Sequence, residues 1–499
     1  LTYEQFLEFH KRYYHPVNSY IYLYGDMDVE ERLTYMDKEY LSRFEEITLD
    51  SSLAEQKPFD KKKCAESFYS VNTEEEAKDA AYFAYNVAMD GERDLVRDTA
   101  MSLLCTALVN TPGAPVKQAL TAAGIGEEVY AMYCDEYLQP FFSLVAQNAP
   151  ADAGDEFMRI ATETMENCVK EGVNKKSLLA ALNSMEFSFR EADCGSYPKG
   201  LRYGQLMLVT WLYDDTQVFN NMHWSPVFDK LRELIDTDYF EKLLQESILD
   251  NTHGAFLKLL PKVGMLAEKE EKQKEALAAL KESLDASQLE AMVAQTKSLK
   301  KYQEEPSTPE ELATIPRLTR EDLKKEADPI INEVKKMHGV TALHQELFTN
   351  KIAYVKLFFD MKKLPAELLS YAGVLLEVYK MMDTKRRSYS DLNDEISIHT
   401  GGISVSTMIS SKFDDLHDYR AFFMAEGKTL YHKIPELFTY MIEMLTETVV
   451  DNPVRLREIL LERKSGLERR YEEIILDISI PEIPSLLRKW RGEMRRSHT

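Results

Sequence analysis

Cysteine is scarce in this sequence, with five in 499 residues, at Cys64, Cys105, Cys134, Cys168 and Cys194. Their wide spacing excludes any C-x-x-C knuckle, and the odd number argues against a complete disulfide framework, so a reducing compartment fits best. The chain also lacks an apolar run near the ~18 residues of a membrane span, and its first residues show no basic-then-apolar signal pattern. Cytoplasm is the expected location, with an organelle matrix as the alternative. Positive charge is in deficit, since 61 basic against 84 acidic side chains give a formal net charge of -23. A nucleic-acid or anionic-membrane partner would need a local basic patch, and short runs such as Lys61-Lys62-Lys63 and Lys385-Arg386-Arg387 do not supply one. Neither partner is expected.

The familiar catalytic motifs are missing as well. A zinc hydrolase needs two imidazoles on one helical face beside a carboxylate, which is why H-E-x-x-H and H-x-x-E-H space their histidines by four. Neither pattern occurs. In "HKRYYHPVNSYIYLYGDMD", residues 10 to 28, His10 and His15 are five apart, about 140° around a helix of 3.6 residues per turn. His15 also precedes Pro16, which ends the helix there, so the pair reads as a helix-to-strand corner. His338 and His344 are separated by Gly339 and sit on an expected strand start, and His399 stands before Gly401-Gly402 without a second histidine nearby; these read as surface or turn residues. No nucleophile elbow, Walker loop or dinucleotide fingerprint is present, and "TGGIS" at 400 reads as a tight turn before the strand "ISVSTMIS". In "EFSFREAD", residues 186 to 193, Glu186 and Arg190 are i,i+4 partners, hence an exposed ion pair. No catalytic, metal-ligating or substrate-binding residue can be assigned.

What the sequence does hold is a large globular chain, 44% hydrophobic and 29% charged, long enough for about three domains. Residues 3 to 14 read as a helix, "NSYIYLYGDMD" as a strand and "VEERLTYMDKEYLSRFEE" as a helix. From about residue 65 "ESFYSV" and "AAYFAYNVAMD" alternate like hairpin strands before "ERDLVRDTAMSLLCTALV" turns helical, and a helix-rich stretch then runs to Trp211. Residues 262 to 302 read as charged helices, with Ser287 as a candidate cap for the second, and Thr308 and Pro309 open another. "GVTALHQELFTNKIAYVKLFFDM" reads as two strands around a Thr349-Asn350 turn, followed by the helix "LPAELLSYAGVLLEVYKMM". The likeness of "AYFAYNVAMD" at 81 to "AYVKLFFDMK" at 353, each an aromatic strand running into an amphipathic helix, implies a duplicated domain.

These stretches, together with "GVNKKSLLAALNSMEFSFREADCGSYPKGLRYGQLMLVTWLYDD" at 172, "ATIPRLTREDL" at 313 and "SYSDLNDEISIHTGGISVS" at 388, resemble the presequence-protease branch of the insulinase-like, or pitrilysin, zinc metallopeptidases. The resemblance covers roughly residues 1 to 470 and implies an α+β fold of repeated insulinase-like domains, with antiparallel-rich sheets packed by helices and a helical hairpin linker between halves. Residues 1–60 would then be the C-terminal end of the first, catalytic domain, 61–261 the second domain, 262–335 the linker, 336–472 the third domain and 473–499 a divergent tail. The family's inverted zinc motif would precede Leu1, which marks the chain as a fragment, and a fourth domain would follow it. The resemblance further implies a part of a zinc metalloendopeptidase that degrades short unstructured peptides. Zinc would act in the intact enzyme, with none expected in this chain, which would contribute chamber wall and hinge and be inactive alone. The alternative is a non-catalytic partner subunit of a peptidase complex.

Overall fold

The structure is a computed structural model that describes residues 1–477 apart from 112, 327, 328, 330, 331, 363, 412–414, 416 and 417. Most of the expected divergent tail, from residue 478 on, lies outside the described residues. Two compact bodies divide the chain: one holds Leu1–Phe68, Ala77–Pro261 and the described residues from Asn350 on, the other Tyr69–Glu76 and Lys262–Thr349.

The first body opens with helices α1 (Tyr3–Tyr13) and α2 (Val29–Glu39). Thr2 caps α1 in a box with Gln5, and Asp28 caps α2. Between them residues 19–24 are not a strand as expected. A strand needs a ladder partner. This segment instead lays its tyrosines on a helix, with Tyr20 edge-on to Trp211 at 4.8 Å and Tyr24 to Tyr203 at 6.0 Å.

A five-stranded sheet follows, built from β1 (Lys63–Val71), β2 (Ala81–Ala88), β3 (Glu128–Cys134), β4 (Phe141–Ala149) and β5 (Gly254–Val263) in the order β1-β5-β2-β4-β3. The expected β1–β2 hairpin does not form, because β5 inserts between them. Its helices are α3 (Leu95–Cys105), α4 (Pro115–Ala122), α5 (Gly154–Glu171), α6 (Lys175–Glu191), α7 (Lys199–Trp211), α8 (Trp224–Leu234) and α9 (Tyr239–Leu244). Alternation along β2 buries Ala81, Phe83, Tyr85 and Val87, and spacing of four along α5 buries Phe157, Ala161 and Met165 against them. The basic run at 61 is consumed locally: Lys62 Nζ donates to the carbonyls of Ile248 at 3.2 Å and Leu249 at 2.8 Å.

In the second body, α10 (Met265–Ser283) and α11 (Ala286–Glu304) bury no residue, and α12 (Pro309–Ala313) follows. Asp285, not Ser287, caps α11, since its carboxylate accepts from Gln288 N at 2.8 Å while Gln288 reaches back. Thr308 and Pro309 open α12 as read from the sequence. A hairpin pairs β6 (Glu333–Met337) with β7 (Val340–His344) through His338 and Gly339, both at positive φ. The Thr349-Asn350 turn therefore does not join two paired strands.

Beyond it, in the first body, run β8 (Ile352–Asp360), α13 (Leu369–Val378), α14 (Tyr389–His399), β9 (Ile403–Ser411), β10 (Tyr419–Leu430), α15 (Ile434–Glu447) and α16 (Pro453–Asp477). Their sheet has the order β8-β10-β9, antiparallel throughout, which repeats β2-β4-β3 of the larger sheet. Both modules place helices between their first and second strands and another after the third, so the duplicated αβ fold is visible in topology. Leu392, Ile396, Ile403, Ala425, Leu437 and Met441 form the second core. Here too a basic run finds partners within its own module: Arg387 pairs with Glu443, whose side chain is 1% exposed, and Arg386 grips Glu447 bidentately at 2.8 and 2.6 Å.

Candidate functional site

Residues singled out in the sequence converge where α6 meets α14 and the end of β10. Asn174 caps α6 by accepting from the amides of Lys176 and Ser177, which aims the first turn at the acidic face of α14. Lys176 Nζ lies 2.9 Å from Glu395 and 3.6 Å from Asp391, and the buried Ser177 hydroxyl donates to Asp394 at 3.1 Å. Glu395 also accepts from the Tyr440 hydroxyl at 2.7 Å and sits 3.5 Å from His399 Nε2. Burial is the largest influence on Glu395 and works upward, but the Lys176 ammonium and the Tyr440 hydroxyl outweigh it and hold the carboxyl below its usual range. For Asp394 burial wins and the pKa rises. Tyr440 is pushed up to about 12, by burial first and then by the Glu395 charge.

At the other end of α6, Glu191, 6% exposed in its side chain, accepts from the Tyr354 hydroxyl at 2.7 Å and lies 2.6 Å from Lys428 Nζ. Between the two ends the ring of Phe187 covers Gly401, where any Cβ would come within 2.2 Å of it. The 400–402 segment is thus a tight turn into β9, as read from the sequence, with Gly402 at φ +115°. Glu186 binds Arg190 at 3.2 Å, and a partner invisible to local spacing, Arg232, at 2.7 Å.

A cleft of about 70 Å³ opens here, lined among others by Glu186, Phe187, Arg190, His399, Thr400 and Lys433. A water needs ~10–15 Å³ on this measure, so the cleft has room for a few waters and not for a peptide. It is a seam between the two modules.

A second polar group lies in the larger module. Asp98, 6% exposed, accepts from the Tyr133 hydroxyl at 2.6 Å and has Arg97 Nε at 3.8 Å. Burial pushes its pKa up to about 6 despite these partners, and Tyr133 is raised by its own burial and by the Asp98 charge.

Among the described residues the histidines do not assemble into a donor set. His10 stacks on Tyr14 at 4.5 Å, and His15 Nδ1 accepts from Val17 N at 3.2 Å outside α1, with its ring edge-on to Phe44. His344 Nδ1 lies 3.3 Å from Glu333 across the β6–β7 hairpin. Among the described residues no group of three or more His, Cys, Asp or Glu side chains is placed to hold a metal ion. A zinc ion therefore finds no fitting donor set here, and no chemical step through zinc is assigned to these residues. Among them, no helix is long and apolar enough to cross a membrane.

Residues 1–185 match the family model described as Peptidase M16 inactive domain, and residues 259–473 the model of the region associated with subfamily C of the M16 peptidases. The chain belongs to the insulinase-like M16 peptidases. It falls in their presequence-protease branch. Protein HypA of Clostridium perfringens (strain 13 / Type A) is 34% identical over 94% of this chain and 48% of its own length. Presequence protease 1, chloroplastic/mitochondrial, of Arabidopsis thaliana is 28% identical over 94% of this chain and 44% of its own. Among solved structures, that of pitrilysin is 13% identical, covering 94% of this chain and 46% of that chain, with a TM-score of 0.47. The chain thus spans about half the length of the curated relatives it matches.

Proposed function

We propose that this chain is the non-catalytic wall-and-hinge part of an M16 zinc metalloendopeptidase that degrades short unstructured peptides. In this reading residues 1–60 complete the first domain, 61–261 and 336–472 are the second and third domains, and 262–335 is the linker. The zinc site and its glutamate base belong to a part of the protein other than this chain. A fourth domain and the remainder of the first are its partners, and peptides are its substrates. The observation that carries the reading is the pair of modules with one strand order, β2-β4-β3 and β8-β10-β9, on a chain whose first 185 residues match an M16 inactive domain. The net charge of -23 supports a preference for basic peptides, whose approach such a field favours.

The test is to express the chain alone and together with a family-type first domain and fourth domain, then follow cleavage of a basic, unfolded peptide with and without a chelator. Chelator-sensitive turnover is expected only from the combined protein. Turnover by the chain alone would overturn the reading, and so would a combined protein that binds zinc and never cleaves.

A further inference from the structure

We infer that the outer edge of β8 and the exposed face of α13 form an acceptor surface for a helix-and-strand segment, which adds to β8 as an antiparallel strand and is supplied by the part of the proposed enzyme that follows this chain. The larger module supplies the pattern. There β5 pairs antiparallel with β2 on the side away from β4 and brings Phe256 opposite Tyr85. Helices α8 and α9, which precede β5, place Phe228, Leu231, Phe240 and Leu244 in one core with Leu104 of α3. In the smaller module β8 stands where β2 does and α13 where α3 does. Yet among the described residues no strand lies on the side of β8 away from β10.

The open edge is one that a strand can use. In an antiparallel ladder every second residue bonds to the partner strand, and those between point away from it. Met361 N donates to Ala421 O at 2.9 Å and Tyr431 N to Lys351 O at 3.1 Å, so the odd-numbered residues are the ones that face β10. The N–H and C=O groups of Tyr354, Lys356 and Phe358 therefore point outward. The side chains agree. Val87 of β2 is 0% exposed, whereas Phe359, at the matching place in β8, is 47% exposed. Seven residues of α3 are buried, whereas Tyr371 and Val374 of α13 lie in solvent. A bare edge beside an apolar helix face is a surface that native folds pair or cover. The surface sets the chemistry of its occupant, a strand with apolar residues at alternate positions beside Leu357 and Phe359, carried by an amphipathic helix that covers α13. Chain order sets the source. The unit from Trp224 to Val263 follows the other helices of its module and is longer than residues 478–499, so its counterpart belongs to polypeptide beyond residue 499. In this respect the inference rests on the proposed reading of the chain as part of a longer enzyme.

Hydrogen exchange read residue by residue, by fragmentation in the mass spectrometer, tests this on the chain and on the longer protein that continues it. In the chain the amides of Tyr354, Lys356 and Phe358 should exchange about a hundredfold or more faster than those of Val355 and Leu357, and in the longer protein the difference should vanish. Lys356→Pro removes an outward N–H and no bond to β10, a place where an edge strand tolerates proline. In the longer protein it should return Tyr354 and Phe358 to fast exchange and leave Leu357 slow. Hydroxyl-radical labelling of Phe359 and Tyr371, heavy in the chain and suppressed in the longer protein, reads the same surface without a variant. Outward amides that are fast in both proteins, or slow already in the chain, would overturn the inference. Protection that rises with the concentration of the chain would overturn it too, in favour of a second copy at the edge. No readout is peptidase activity. A longer protein that cleaves with a bare edge sinks this inference alone, and one that fills the edge and never cleaves sinks the proposed function alone.

Discussion

Phe187 on α6 and Gly401 on the turn before β9 are complementary: the ring occupies the volume that a side chain at 401 would need. A Cβ built there would sit 2.2 Å from a ring carbon, below any real contact distance. Gly401→Ala should therefore cost about 1–3 kcal/mol, the usual penalty for overpacking, measured by urea denaturation. Phe187→Ala alone opens a cavity and should cost more, about 3–5 kcal/mol. The pair of changes should cost less than the sum of the two, since each relieves the other's fault. A strictly additive double variant would mean that the ring and the turn are not in contact.

Neighbouring arginines should differ sharply. Arg387 neutralises Glu443, which is 1% exposed and takes a further hydrogen bond from the Thr384 hydroxyl at 2.8 Å. Removing it strands a buried charge, so Arg387→Ala should destabilise by about 3–5 kcal/mol. Arg386 is 58% exposed in its side chain, and its ion pair with Glu447 is screened by water. Arg386→Ala should cost under about 1 kcal/mol. Equal losses in thermal denaturation would contradict the burial difference.

Much of this architecture could be read from residue order, and what could not has a physical cause. Alternation marked β2 and β8, caps marked α12, and Pro16 marked the end of α1, because each depends on neighbours within a few residues. The strands β3 and β4 were hidden inside a stretch read as helix-rich, although Val129 and Ala131 alternate inward and Phe142, Leu144 and Ala146 do the same. That alternation, broken by "DEYLQP", was the signal that could have found them. β5 was missed because its apolar run leads straight into a charged helix. The contacts of α6 with α14 and β10 had no local signal at all, since Lys176 and Glu395, or Glu191 and Lys428, meet only through the fold.

The connector should be the first internal segment cut by trypsin. Helices α10 and α11 bury no residue, and a helix without a packed face is marginal in water, so both open locally at little cost. Limited digestion should release fragments with ends between 262 and 335. First cuts inside 80–250 or 340–450 would show that the modules are less stable than the connector.

Zinc is expected not to bind this chain in stoichiometric amount. Three of the histidines are engaged apart from one another, His15 with a backbone amide, His344 with Glu333 and His399 with Glu395. Elemental analysis after dialysis should find well under one zinc per chain. A tightly held equivalent would require a donor set that the described residues do not present.

Asp98 supplies a pH dependence whose sign follows from its environment. Burial raises its pKa from 3.8 to about 6, so the folded state holds the proton more tightly than the unfolded chain does. Its contribution to stability is therefore fully present below pH 3.8 and is lost as the pH rises through about 6, the reverse of an acid held by a strong ion pair. At 1.36 kcal/mol per unit, the loss amounts to as much as about 3 kcal/mol. Asp98→Asn keeps the shape and still accepts from the Tyr133 hydroxyl, but cannot ionise. Relative to the unmodified chain, the variant should gain stability between pH 4 and about 6 and level off above that, as read from urea midpoints at each pH. Tyr133→Phe removes the hydrogen bond that favours the carboxylate, which should steepen the loss with pH when Asp98 is present and change nothing with pH when combined with Asp98→Asn. A stability difference between Asp98→Asn and the unmodified chain that stays flat across this range would show that the carboxyl is not held in the buried, proton-retaining state that its surroundings impose.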